Sequence, residues 1–237
     1  MRVAALYDVH GNLPALDAVL ADVDAAGVTD IVSGGDLVAG PLPSECLARL
    51  RERGARFIRG NADRLVLEPQ DGTDRFARDR LSREELEEVA AWPESLTLDL
   101  DGLGRVIFCH ASPRSDEEIL SAGTPIAVAA EAVAGVSADV VVGGHTHQQY
   151  DRIVGEVRLV NPGSVGLPYE GRPGAYWALL GPEVELRRSD YEVVAAVDQL
   201  EATGFPGLRG FMVPSLLEPL TREAVIAEHE RNAGRAT

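Results

Sequence analysis

Residues 2–12, RVAALYDVHGN, carry a continuous apolar run straight into a helix start. Residues 2–7 have the pattern of a buried strand, and Asn12 can cap a helix whose apolar positions Leu13, Leu16, Leu20 and Val23 follow the helical period. Asp8 and His10 therefore fall in the strand-to-helix loop. In an extended segment residues two apart project to one side, so a carboxylate and an imidazole can face a common point. That arrangement suits a metal ion, but Asp-x-His on its own is matched equally well by a plain loop Asp and a hydrogen-bonded His.

The same kind of junction recurs along the chain. Residues 29–33 read as a second strand, broken by Gly34-Gly35 and followed by Asp36. After the loop 36–41, residues 44–53 form a helix that Ser44 can cap and Gly54 can end. A third strand at 55–59 stops at Gly60-Asn61. The stretch 62–79 is charged and nearly without apolar period, which predicts an exposed excursion beside the cleft. Ser82 and Glu85 make a capping box that opens a helix reaching about Trp92. Residues 96–101 and 105–109 form a hairpin around Gly102-Leu103-Gly104, with His110 directly after it. A polar loop through Pro113, Arg114 and Asp116 leads to a helix near 125–134. A buried strand at 139–142 then ends in Gly143-Gly144-His145-Thr146-His147. Beyond it come strands at 150–154, 157–160, 175–180 and 184–188, a helix at 192–203, a loop with Pro and Gly at 205–219, and a last helix whose polar end is predicted to fray. The expectation is one domain over 1–237 with a C-terminal helical extension from about 205.

Four of the five histidines, His10, His110, His145 and His147, stand at or just beyond strand ends, as do Asp8, Asp36 and Asn61. Ligands of open sheets with helices on their faces bind outside the carboxyl ends of the strands, so these residues are predicted to converge. His229 is set apart on the polar tail helix. The chain carries 38 Asp and Glu against 22 Lys and Arg, a formal net charge of -16, so general nucleic-acid binding through a basic surface is disfavoured. A small phosphorylated substrate stays compatible if metal ions supply the local positive charge. No secretory leader pattern and no membrane-spanning apolar run is present, which predicts a cytoplasmic location without membrane association. Cys46 and Cys109 read as buried free thiols. Nothing in the sequence marks an oligomeric state.

DVHGN, GGDLVAGP, GNAD, a His after the hairpin strand, GGHTH and NPGSVGLP occur in this order. Together they resemble the calcineurin-like metallophosphoesterases, specifically the bacterial small phosphoesterase and phosphodiesterase group, over residues 2 to about 190. The resemblance implies an α/β (α+β) fold in which a two-sheet β-sandwich is flanked by helices on both faces, four layers in all. It also implies two divalent metal ions, with Asp8, His10, Asp36 and His147 on the first and Asp36, Asn61, His110 and His145 on the second, Asp36 bridging. Two such ions about 3.5–4 Å apart can hold a hydroxide nucleophile and clamp phosphate oxygens. Mixed nitrogen and oxygen donors suit Mn, Fe, Zn, Co or Ni without separating them. The implied activity is hydrolysis of a phosphodiester or phosphomonoester of a small molecule. The alternatives are a protein or dinucleoside-polyphosphate phosphatase, and a metal-bound regulatory protein with little turnover.

One departure stands out. Many relatives carry a His after the Asn, where it contacts the scissile phosphate and protonates the leaving oxygen, but here Gly60-Asn61 is followed by Ala62-Asp63. Asp63 can orient or protonate substrate, or cap local backbone. Arg114 can present its guanidinium to a phosphate, or face solvent. Asn161 to Ser164 is read as structural support, with Gly163 where a positive φ is needed.

Overall fold

A computed structural model describes residues 1–235. Its strands are β1 (Val3–Leu6), β2 (Asp30–Ser33), β3 (Arg56–Phe57), β4 (Ser95–Leu100), β5 (Gly104–Cys109), β6 (Val140–Val142), β7 (Tyr150–Val154), β8 (Val157–Asn161), β9 (Ala175–Leu180) and β10 (Val184–Ser189). They form two five-stranded mixed sheets, ordered β10-β9-β1-β2-β3 and β4-β5-β6-β8-β7. In the first, β1, β2 and β3 run parallel and β9 returns antiparallel to β1. In the second, β5, β6 and β8 run parallel. Parallel neighbours need crossovers; for β1–β2, β2–β3 and β5–β6 these include the helices α1 (Leu13–Ala25), α2 (Pro43–Glu52) and α6 (Ile126–Ala132), while β6 reaches β8 by way of the edge strand β7.

Burial on both faces explains why the central strands β1, β6 and β9 read as continuous apolar runs, while β4, β7 and β10 carry exposed residues. Val3, Ala5 and Tyr7 point between the sheets, where they meet Val106, Phe108, Val140, Val142, Ala178 and Leu180. Ala4 and Leu6 face the other way, into a layer holding Leu16 and Val19 of α1 and Leu47 and Leu50 of α2. On the outer face of the second sheet, Cys109, Val141 and Leu159 pack with Ala129 and Ala132 of α6. The four-layer sandwich expected from the sequence is therefore the observed fold. Both cysteines are buried and free, as expected.

Several local expectations need correction. The excursion at 62–79 is two short helices, α3 (Asn61–Leu67) and α4 (Gly72–Arg78), the second capped by Asp71, which accepts the N–H groups of Thr73 and Asp74. Too few of their residues are buried to leave an apolar period. The capping-box helix is α5 (Arg83–Ala91), as read. The α2 helix begins with Pro43, and Ser44 lies inside it and donates to Glu85 Oε1 at 2.6 Å instead of capping. The C-terminal region holds α7 (Val193–Glu201), a π-helical turn (Leu208–Met212), α8 (Val213–Leu217) and α9 (Arg222–Asn232). Leu167 anchors this region to the sandwich by packing with Val197, Leu200, Leu208, Met212 and Leu216. The polar end of α9 is pinned. Glu230 accepts from Ser121 and Thr124 at 2.7 and 2.8 Å, and Arg235 donates to the Ile119 carbonyl at 2.8 Å.

Candidate metal centre

The carboxyl ends of the parallel strands of both sheets open toward one cleft. Asp8 follows β1, Asp36 follows β2, Asn61 opens α3, His110 follows β5, and His145 and His147 follow β6. Asp8 and His10 reach a common side through the backbone and not through strand alternation. The non-glycine residues of the described chain with positive φ are Asp8 (54°), His10 (47°), Asp36 (53°), His145 (64°) and His147 (56°). An L-residue there costs on the order of 1–2 kcal/mol. All five are candidate ligands, so the fold concentrates its backbone strain where side chains must turn inward from consecutive loops. The loops brace one another: Asp8 N–H donates to Gly35 O at 3.1 Å and His10 N–H to Asp36 O at 2.9 Å. Glycine is required where the walls close up, since a Cβ at Gly60 would sit 2.1 Å from Asp36 Oδ1 and one at Gly144 2.5 Å from Asp8 Oδ2.

Hydrogen bonds fix the imidazoles. His110 Nδ1 is 3.0 Å from Gly34 O, His147 Nδ1 2.6 Å from Leu167 O, and His10 Nδ1 3.2 Å from Ala39 O. A carbonyl only accepts, so each Nδ1 carries the proton, and in the neutral rings Nε2 is left with a lone pair directed at the cleft. His10 Nε2 and His147 Nε2 then face each other at 3.2 Å with no proton to share. Asp8 Oδ1, fully buried, has no hydrogen-bond partner, and lies 3.4 Å from His147 Nε2 and 3.9 Å from His110 Nε2. Opposed lone pairs and an orphaned carboxylate oxygen are the donor set of a cation site.

Two groupings stand close enough to share an ion: Asp8, His10 and His147, and Asp8, Asp36 and His110. Asp36 Oδ2 lies 3.3 Å from His110 Nε2 and 3.8 Å from His10 Nε2, so it faces both. Asn61 Oδ1 is 3.0 Å from His110 Nε2, and the His145 ring packs edge-on to His110 with centroids 5.4 Å apart. Burial opposes charge on both carboxylates, yet the imidazoles of His147 and His110 beside Asp8, and of His110, His10 and His145 beside Asp36, hold each below its usual range. Burial and the charge of neighbouring imidazoles lower His10 and His145.

Asp63 does not reach the cleft. It is fully buried and accepts the N–H groups of Asp36 and Gly60 on Oδ2 and of Leu37 and Val38 on Oδ1, at 2.8–3.0 Å. Of the two roles read from the sequence, capping is the one the structure displays. Arg114 is likewise turned away, its guanidinium donating to Glu118 and to the Glu131 carbonyl at the surface. NPGS is support, as read. Asn161 Nδ2 donates to Gly144 O and Thr146 Oγ1, and Ser164 Oγ donates to Asp8 O at 2.7 Å, so one turn steadies both loops that carry these candidate ligands.

The cleft is a cavity of about 540 Å³ bounded by His10, Asp36, Asn61, His145 and His147 on one side. Its opposite wall includes Tyr169, Phe205, Phe211 and His229, and the last three were not selected from the sequence. Tyr169 stacks on His147 with centroids 4.8 Å apart. His229, set aside on a helix without an amphipathic stripe, reaches the cleft, and burial together with the nearby His147 and His145 lowers its pKa to about 4.

A family model described as the calcineurin-like phosphoesterase superfamily domain matches residues 1–181. The chain belongs to this superfamily. An uncharacterized protein of Methanocaldococcus jannaschii is 26% identical over 232 residues, covering 86% of this chain and 93% of its own. The crystal structure of a metallophosphoesterase from Sphaerobacter thermophilus superposes with a TM-score of 0.75 at 26% identity, covering 91% of this chain and 99% of its own. A hypothetical protein from Pyrococcus horikoshii shares the fold at a TM-score of 0.77 and 20% identity, covering 86% and 94%. Asp8, His10, Asp36, Asn61, His110, His145 and His147 all fall within the matched residues 1–181.

Proposed function

We propose that this phosphoesterase-superfamily protein hydrolyses a phosphodiester or phosphomonoester of a small molecule at a pair of divalent metal ions. The observation that carries the reading is the cluster of Asp8, His10 and His147 adjoining Asp8, Asp36 and His110, with Asp8 Oδ1 orphaned and two Nε2 atoms opposed at 3.2 Å. Asp8, His10, Asp36 and His147 would hold one ion and Asp36, Asn61, His110 and His145 the other; the placement of Asp36 Oδ2 toward both His10 and His110 supports Asp36 as the shared ligand, although Asp8 is the residue common to the two close groupings. Divalent ions in such a site supply Lewis acidity toward phosphoryl oxygens and acidify water at neutral pH. The chain's own part is positional: Gly34, Ala39 and Leu167 carbonyls orient the imidazoles, and Asp63 fixes the backbone beneath Asp36. The functional unit extends beyond the family-matched region, because Phe205, Phe211 and His229 complete the cleft.

Ala62 favours a second reading, a metal-bound regulatory protein with little turnover, since the position directly after Asn61 in the chain carries no imidazole to protonate a leaving group. A manganese-loaded sample and bis(p-nitrophenyl) phosphate separate the two. Metal-dependent turnover that chelation abolishes is expected. Full metal occupancy with no hydrolysis of any aryl or alkyl ester would assign the regulatory role.

A further inference from the structure

The cleft continues past the ligand cluster. Its far wall comes from the C-terminal region, with Phe205, Gly207 and Phe211 leading into and through the π-helical turn and His229 projecting from α9. Phe205 is held there by Phe76 of α4, the two rings edge-on with centroids 5.3 Å apart. A second cavity of about 480 Å³ adjoins the first, sharing Tyr169, Phe211 and His229 and adding Pro214, Leu220 and Val225. Phe211 and Leu220 are 53% and 60% exposed, so large apolar side chains stand uncovered along a concave wall. Apolar concavities next to convergent polar groups are where the organic part of a ligand is held.

Charge narrows the ligand further. The chain contains no lysine, and no arginine among the described residues lines either cavity. Carboxylates do, with Asp71 and Asp74 on the first and Glu218 and Glu228 on the second. Beyond the metal ligands, an additional anionic group would meet only like charge in a partly desolvated space.

We propose that the two cavities form one substrate site for a phosphate ester with a single phosphoryl group and an apolar, aryl-sized organic moiety, seated on Tyr169, Phe205 and Phe211 and extending past His229. This rests on the hydrolytic reading above and selects within it, disfavouring nucleoside and dinucleoside polyphosphates.

Two p-nitrophenyl phosphonate esters with the same leaving group, one with a methyl and one with a naphthylmethyl substituent, test it on the metal-loaded full chain. Covering an aryl group's apolar surface predicts kcat/KM higher by roughly ten- to a hundredfold for the naphthylmethyl ester. A sulfonate on the distal edge of the naphthalene is expected to erase that advantage. Phe211→Ala should cut the naphthylmethyl-to-methyl ratio about tenfold by the same area argument, whereas Val194→Ala, an exposed apolar residue outside both cavities, should leave the ratio as it is. A wild-type ratio near one, or a ratio unmoved by Phe211→Ala, overturns the proposal while leaving hydrolysis standing. Calorimetry with naphthylmethylphosphonate and methylphosphonate reads the same site without turnover. If no ester is hydrolysed but the naphthyl compound still binds more tightly, the subsite holds and the hydrolytic reading falls. Equal binding of the two phosphonates overturns the subsite.

Discussion

The carboxylate of Asp63 accepts the backbone N–H of Asp36 at 2.8 Å from a position with no exposure to solvent. Asp36 is one of the residues in the left-handed region, so the N–H that Asp63 holds belongs to a backbone that must be kept in a costly conformation. Burial and the neighbouring Asp36 carboxylate push the Asp63 pKa up to about 7, while the N–H groups of Val38 and Gly60 pull it down. Substituting Asp63→Asn turns an amide NH2 toward backbone donors and leaves part of the set unpaired. A loss of about 2–4 kcal/mol in urea unfolding is expected, together with weaker metal retention. Unchanged stability would show that the four hydrogen bonds do not hold this loop.

Asp36→Asn and Asn61→Ala test the proposed division between a shared ligand and a single one. Asp36 Oδ2 faces both His10 and His110, and Asn61 Oδ1 faces His110 alone. Removing the shared negative charge should deplete both ions and abolish most activity, whereas Asn61→Ala should spare the ion held by Asp8, His10 and His147. Elemental analysis of the purified variants gives the stoichiometry. Two ions retained in both variants would disprove the ligand assignment.

Proton release should accompany metal loading. In the metal-free protein burial works against the charge on His110, but Asp36 and Asp8 beside it raise its pKa from 6.5 to about 10. The folded value lies above the unfolded one, so this imidazolium stabilises the metal-free fold fully below about 6.5 and the contribution is lost as pH rises through about 10. Asp36 is shifted the other way, and its contribution is present above about 3.8 and lost as pH falls. At pH 7 an incoming cation therefore has to displace a proton from His110. Calorimetric titration in buffers of different ionisation enthalpy should report about one proton released per loaded centre. Buffer-independent heats would show that His110 is already neutral.

What was legible in the sequence follows a physical line. Asp8 and Asp36 stand out because β1 and β2 are parallel strands buried along nearly their whole length, which gives short apolar runs with clear ends; β3, before Asn61, is short and partly exposed, and Asn61 was singled out by its Gly60-Asn61 junction instead. The sandwich was readable only through the resemblance of the ordered motifs to a known family, because apolar runs do not say which strands share a sheet. Asp63 was legible only as a pair of alternatives, since nothing in GNAD says whether the carboxylate turns to the cleft or beneath it. The helices α3 and α4 were missed because they bury few residues, Asp63 and Val66 in one and Ala77 in the other, too few to print a period. His229 and Phe211 could not be located at all: their contribution to the cleft depends on how α9 and the π-helical turn fold back, and the contacts that pin α9, such as Glu230 to Ser121 at 2.7 Å, join residues far apart in the chain.

The most informative substitution is Ala62→His. Ala62 lines the cleft next to Asn61, and its backbone N–H donates to Asp36 Oδ1 at 2.8 Å, a bond that does not involve the side chain and survives the change. The cavity of about 540 Å³ has room for an imidazole. A positioned proton donor contributes about 10²- to 10⁴-fold, and only where the leaving group needs the proton. Alkyl phosphate esters, whose alkoxide is a poor leaving group, should therefore speed up markedly, while p-nitrophenyl esters, whose oxygen departs as a stable anion, should change little. Thermal unfolding and metal content should match the wild type, since Ala62 is only half-buried. Rates for a matched alkyl and aryl pair at equal metal occupancy decide the outcome. A uniform slowing of both would mean that the imidazole obstructs the substrate, and that the cleft is shaped around the small side chain at this position.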